Sequence, residues 1–384
     1  MALESVALAR AARDSVLDAA MLDRIAEAAP PSGSELPATP TEAESAALRS
    51  LFDIDVANFE DHGRVRYWLD FFTGPARERM AIWLTRMPRY EPMIRSLLVE
   101  KGLPGDLAYL PLIESGYSTT AVSRSRAVGM WQFMRATGRF YGLTVDSWVD
   151  DRRDVPKATT AAIRYLADLS SRFGSYYLAA AAYNGGPGRI QRGLNRLDLN
   201  DDDEDTLALD DSAAADGSPQ AGDVAFFQLA DTRYIRQETK DYVPKLIAAA
   251  MIAKQPERYG FPVPMGGPVR LDSVIVSDAT GLDVVARLAD LPVADVRELN
   301  RHFLRELTPP KRRAVVRLPE GKGEATQAAL DALPATERLG SFPHRAKARE
   351  TLASIGRHYG VTLTAMRTAN PSFSKKGPAK GDIV

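Results

Sequence analysis

Apolar residues recur at three- and four-residue intervals over much of this chain, the spacing of one buried helical face. Between Glu42 and Glu100 that pattern places Trp68, Phe71, Phe72, Trp83 and Leu84 in a core. Further helices are predicted over residues 105–115, 130–141, 159–173, 175–184 and 238–254. All four tryptophans fall between positions 68 and 148, which puts the main core there. In the helix over 105–115, Leu107, Leu110, Ile113 and Glu114 share one side and Gly116 is a suitable stop. Pro111 removes the N–H that the Leu107 carbonyl would accept, so a distortion is expected near this turn.

The pattern changes at both ends. Ser5 to Ala28 reads as an Ala-rich helix, and Pro30-Pro31-Ser32-Gly33-Ser34 with Pro37 to Pro40 as a linker, so residues 1–41 are set apart from the main domain over 42–262. Between Leu197 and Thr232 there are eleven acids and no Lys or Arg, which predicts a mobile acidic insertion over about 198–223. Beyond Gly260, β-branched runs such as Val274-Ile275-Val276 and Ala314-Val315-Val316 flank helical stretches, an α+β texture. Asp283 to Asn300 and Thr351 to Asn370 each read as helix, turn, helix and a closing Asn, a degenerate repeat that defines modules over 265–322 and 340–384.

Composition narrows the function without choosing it. The 384 residues are 45% hydrophobic and 26% charged with a formal net charge of -1, a globular balance that implies no nucleic-acid or membrane surface. The absence of cysteine excludes disulfides, thiolate metal sites and a thiol nucleophile. Apolar runs such as Leu246 to Ala253 fall short of the ~20 residues a membrane span needs. The start lacks the basic and apolar stretches of a signal peptide. Because Gly381-Asp382-Ile383-Val384 stops without a finishing pattern, an excised piece is expected, any membrane anchor lying in a segment absent here.

Three segments could carry chemistry. In Leu110-Pro-Leu-Ile-Glu114-Ser-Gly-Tyr117 a carboxylate follows an apolar turn, where burial and the negative helix end would both favour the protonated form a general acid needs. A solvated or salt-bridged helix-end acid fits the same residues. Gly129-Met130-Trp131-Gln132 offers an aromatic face and an amide, a saccharide-binding pair, although core packing accounts for it equally. Tyr183-Asn184-Gly185-Gly186 ends a small-residue helix and reads either as a site or as a C-cap. The four histidines are scattered without metal spacing, and no phosphate loop or dinucleotide fingerprint is present.

In order and spacing, Glu114-Ser115, Gly129-Met130-Trp131-Gln132 and Ala182-Tyr183-Asn184 resemble the three signature motifs of the family 1 lytic transglycosylases. The similarity runs from about Val56 to Gly260 and includes Arg152-Arg153-Asp154 and Glu238 to Lys245. It implies a mainly α fold, a goose-type lysozyme-like helical catalytic domain, followed by small α+β modules resembling LysM, a βααβ unit that binds glycans containing N-acetylglucosamine (GlcNAc). The implied partner is peptidoglycan, in the periplasm or cell envelope, and no cofactor or metal is implied. Glu114 would protonate the bond from N-acetylmuramic acid (MurNAc) to GlcNAc and then, as carboxylate, take the proton of the muramoyl C6 hydroxyl, closing a 1,6-anhydro ring without water.

The resemblance also implies a substrate-binding set. Ser115, Gly129, Met130 and Trp131 belong to it by signature. Ser123 would support the acid and the acetamido group, Gln132 and Asn184 would hold N-acetyl or peptide groups, Tyr183 would hydrogen-bond near the acid, and Tyr242 would line the groove. A classical glycosidase pair is not evident, since Asp106 lies about 12 Å along the helix axis from Glu114 at ~1.5 Å per residue. A muramidase- or chitinase-type hydrolase, with Asp146 or Asp150 as the second carboxylate, is the alternative. A non-catalytic glycan-binding protein is the third reading. Two departures stand out. Trp131 replaces a Met common outside this branch, and Arg349-Glu350-Thr351-Leu352 stands where LysM modules usually have Gly-Asp-Thr-Leu, in a repeat expected to lack its last strand.

Overall fold

A computed structural model describes residues 49–198, 220–334, 337–339, 344–359, 361–373 and 376–384. The N-terminal helix and linker predicted over 1–41 and most of the acidic insertion lie outside these residues. The chain forms two units, one comprising residues up to 143 with 155–268, the other 144–154 with 269–384.

The first unit is helical. Helices α1 (Gly63–Thr73), α2 (Arg77–Arg86) and α3 (Glu91–Glu100) bury Trp68, Phe72, Trp83, Leu84, Ile94 and Leu98. A 3₁₀ turn (Gly105–Tyr109) runs directly into α4 (Leu110–Ser115). That switch accommodates Pro111, which falls in the first turn of α4, where its missing N–H costs nothing. The chain continues through α5 (Arg135–Phe140), α6 (Val155–Phe173), α7 (Tyr176–Gly185), α8 (Pro187–Asp198), α9 (Ala221–Asp231) and α10 (Gln237–Lys240). It ends in α11 (Tyr242–Lys254), which packs against α1, α4 and α7. Residues 243–253 of α11 are all buried, and a helix apolar on every face belongs in a core. Among the described residues no helix is long and apolar enough to cross a membrane.

In the second unit, β1 (Leu271–Val276) pairs antiparallel with β2 (Ala314–Pro319), Val274 facing Val316. Between them run α12 (Leu282–Leu288) and α13 (Val293–Leu299), the βααβ order expected of a LysM-like module. Helix α14 (Gly323–Ala332) follows. The second repeat contains α15 (Leu352–Tyr359) and α16 (Leu363–Ala369) over a small core of Ala346, Leu352, Ile355 and Met366.

Two expectations are corrected here. The helix predicted over 130–141 is confined to Arg135–Phe140, because residues 129–132 form a turn that lets Val128 bridge Phe133 as well as Val122. The acidic run is interrupted by α9, whose Phe226, Phe227 and Leu229 bury against the core while Ser175 Oγ donates to Asp223 at 2.6 Å. Residues 144–154 group by contact with the second unit, where Val149 bridges Phe303 and Asp150 N donates to His302 O at 2.9 Å. Among the described residues the second repeat has no strand at its end; it closes with a single bridge of Arg345 to Ile383, flanked by backbone hydrogen bonds of 2.9 and 2.8 Å between His344 and Val384.

Candidate active site

Local geometry puts Glu114 at the last turn of a short, buried helix. Helix α4 stops because Gly116 adopts a left-handed conformation (φ +56°), and its N–H caps the Leu112 carbonyl at 3.0 Å. The indole of buried Trp83 leaves no room there, since a Cβ on Gly116 would lie 2.0 Å from Trp83 Cδ1. The turn throws the Glu114 side chain into a cleft of about 430 Å³, lined among others by Ser123, Gln132, Tyr183, Asn184, Tyr242 and Lys245.

Within this cleft Glu114 is half-buried and accepts a hydrogen bond from Tyr242 Oη at 2.5 Å. Burial pushes its carboxyl up to about 7; the Tyr242 hydroxyl and the Lys245 ammonium oppose that rise, and the charge of Glu238 adds to it. Tyr242 and Lys245 are neighbours on one face of α11, at positions i and i+3. Burial lowers Lys245 to about 8 against the pull of Asp241, Glu238 and Glu114.

The opposite side of the site is a backbone scaffold. Gly129 (φ +83°) and Gln132 (φ +46°) both take left-handed conformations, and Gln132 Nε2 donates back to the Gly129 carbonyl at 2.7 Å. Ser123 Oγ accepts from Ala127 N at 3.0 Å and shares a 2.9 Å hydrogen bond with Ser125. At the end of α7, Asn184 Oδ1 accepts from Thr239 Oγ1 at 2.9 Å while its Nδ2 donates to Glu238 at 3.3 Å. The two hydrogen bonds fix which way the amide points.

The structure divides the expected set in two. Glu114, Ser123, Gln132, Tyr183, Asn184 and Tyr242 come together in the cleft. Ser115, Gly129, Met130 and Trp131, expected in the substrate-binding set, are buried and do not line it. Ser115 Oγ donates to the Met130 carbonyl at 2.9 Å, tying the acid's helix to the turn. Trp131 is fully buried with its Nε1 donating to Thr159 Oγ1 at 3.0 Å, so the indole is core and not a sugar platform. Tyr183 spends its hydroxyl on the Trp131 carbonyl at 2.7 Å, and Tyr242, expected only to line the groove, is the tyrosine bonded to the acid.

The carboxylates considered as partners for Glu114 are all engaged elsewhere. Asp106 is fully buried, pairs with Arg95 at 3.2 Å and Lys254 at 2.5 Å, and accepts from Asp53 N at 2.6 Å. Asp146 accepts from Val149 N at 2.8 Å and pairs with Arg312 at 2.7 Å, and Asp150 pairs with Arg152 at 2.8 Å. Glu238, Lys245, Arg124 and Arg236 line the cleft and were missed from sequence. Lys245 did carry a signal, as a lone charge inside the apolar run of α11.

Residues 97–205, which hold all three motifs, match the Transglycosylase SLT domain model. Over those residues the chain is similar to the transglycosylase SLT domain. Residues 270–335 match the model for the LysM-like domain of lytic transglycosylase MltD, so the domain order is MltD-like. The chain is 27% identical over 297 residues to "Membrane-bound lytic murein transglycosylase D" of Escherichia coli (strain K12), an alignment covering 74% of this chain and 60% of that relative. A protein named for tributyltin chloride resistance from Alteromonas sp. (strain M-1) is 35% identical over 119 residues, covering 30% of this chain and 57% of its own. "Peptidoglycan transglycosylase gp16" of Escherichia phage T7 is 31% identical over 157 residues, covering 40% of this chain and 10% of the phage protein.

Proposed function

We propose that this chain is a peptidoglycan lytic transglycosylase acting in the cell envelope, with Glu114 as general acid and then general base. The observation that carries the reading is one carboxyl group, half-buried in a cleft and held up to about 7, with a tyrosine hydroxyl 2.5 Å from one oxygen. A carboxyl near neutrality can give a proton and take one back within a single cycle. Glu114 protonates the glycosidic oxygen as the MurNAc C1–O bond breaks, and the carbonyl oxygen of the muramoyl 2-acetamido group bonds to C1. The Glu114 carboxylate then removes the C6 hydroxyl proton while O6 displaces the acetamido oxygen from C1. The product is a 1,6-anhydro end, Glu114 is protonated again, and no water is consumed.

This route needs no second carboxylate, which suits a cleft where Asp106, Asp146 and Asp150 are absent from the lining. Ser123, Gln132 and Asn184 supply the hydroxyl and amides that an N-acetyl sugar can be bound by. The LysM-like modules would hold glycan containing GlcNAc. A hydrolase is the second reading, because Glu238, exposed in the same cleft, could activate a water.

Mass spectrometry of products released from purified sacculi separates them. Anhydromuropeptides from the wild type and none from Glu114→Gln are the expected result. Reducing-end muropeptides would replace the proposal with the hydrolase, and loss of that product in Glu238→Gln would identify its base. No release at all would leave a glycan-binding protein.

A further inference from the structure

Lys245 is the one buried cation of the cleft, and the reaction above gives it no task. Only 5% of its surface is exposed, on a helix that is otherwise apolar from Val243 to Ala253. A lysine so placed loses hydration and rotamer freedom, so an apolar residue would hold the helix in the core at lower cost. Its ammonium is not left in hydrocarbon. It lies 4.2 Å from the centroid of the Trp68 ring, which fixes the chain direction and leaves the charge among Asp241, Glu238 and Glu114. One helical turn earlier, the same face of α11 delivers the Tyr242 hydroxyl to Glu114.

We propose that Lys245 is a positioning residue for the chemistry of Glu114: its ammonium, braced on Trp68 and carried by the same helix as Tyr242, is the built-in counter-charge to the carboxylate that forms when Glu114 gives up its proton. The inference rests on the reading of Glu114 as the acid. Charge separation peaks as the glycosidic bond breaks, when Glu114 becomes an anion in a desolvated cleft and the sugar becomes cationic. A positive charge held in the same cleft as that carboxylate lowers the energy of the broken-bond state without needing to reorganise. Glu238 acts in the opposite sense, since its negative charge faces the same carboxyl. Tyr183, Arg124 and Arg236 complete the ionisable groups that line the site with it.

The test is the titration of the Glu114 carboxyl carbon by ¹³C NMR in the full chain, its signal assigned by loss in Glu114→Gln. Lys245→Met keeps the length and removes the charge, and should move the midpoint up, whereas Lys245→Arg should leave it near the wild-type position. Glu238→Gln, at an exposed position, should move it down and provides the result should Lys245→Met fold poorly. The alkaline limb of the pH profile for anhydromuropeptide release should follow each midpoint. A midpoint unmoved in Lys245→Met overturns the proposal, even if turnover falls and Glu238→Gln shifts it. Shifted midpoints in a protein that releases reducing ends would keep the proposal and reject the transglycosylase reading instead.

Discussion

Gly116→Ala tests whether the position of the acid depends on one missing methyl group. The backbone at 116 is left-handed (φ +56°, ψ +39°), which costs an L-residue roughly 1–2 kcal/mol. The added Cβ would sit 2.0 Å from Cδ1 and 2.2 Å from Nε1 of Trp83. Because Trp83 is fully buried, the ring has to move into packed neighbours, an overpacking cost of roughly 1–3 kcal/mol. The two contributions give about 2–5 kcal/mol, a fall in Tm of roughly 4–20 °C at 2–4 °C per kcal/mol. Gly102→Ala is the control, since Gly102 is also left-handed (φ +71°) but has nothing within 4 Å of a built Cβ. Thermal unfolding followed by tryptophan fluorescence should show Gly102→Ala losing only the backbone part. Equal melting of the two variants would refute the steric argument, and with it the claim that Trp83 dictates how α4 ends.

Removing the Tyr242 hydroxyl in Tyr242→Phe deletes a hydrogen bond to the ionised acid worth about 1.5–3 kcal/mol, so the alkaline limb of activity should rise by about 1–2 pH units. An unmoved limb would place that hydroxyl outside the chemistry. Glu114 also makes the fold pH-dependent: its carboxyl is raised from 4.5 to about 7, so between those values the folded chain keeps a proton the unfolded chain has lost, and stability falls as pH rises. Glu114→Gln should therefore melt higher than the wild type at pH 8, by up to about 3 kcal/mol of stability, and equally at pH 4. Thr159→Val takes away the acceptor of Trp131 Nε1 and should cost roughly 1–3 kcal/mol in urea unfolding, leaving the identity of the released products unchanged.

The helices that bear the site were legible because their apolar spacing is continuous and their ends carry Gly116 and Gly185-Gly186. Legibility ended where distant backbone pairs with backbone. Periodicity could not see that Val128 bridges Val122 and Phe133, so it extended a helix through Gln132, whose φ is +46°. Nor could it see that Val149 pairs with Phe303, a partner more than a hundred positions away in the sequence. Within the site, the motifs marked which residues matter but not what each touches. Trp131 and Ser115 sit in the signatures as structural ties, while Lys245 and Glu238 face the acid from a segment whose spacing reads as core.

The second unit is discontinuous in the gene. Residues 144–154, encoded between α5 and α6, supply a bridge to Phe303, a 2.7 Å ion pair from Asp146 to Arg312 and the acceptor of Leu304 N. A module attached in tandem can be duplicated, lost or exchanged by recombination at one junction. Here a breakpoint between 268 and 269 would separate the LysM-like module from the 144–154 segment that bridges it, and a foreign module grafted there would meet a segment shaped for another. Transfer between lineages would need two coordinated crossovers. The catalytic helices and this module are thereby expected to be inherited together, with substitutions at 146, 149, 303 and 312 arising as matched pairs.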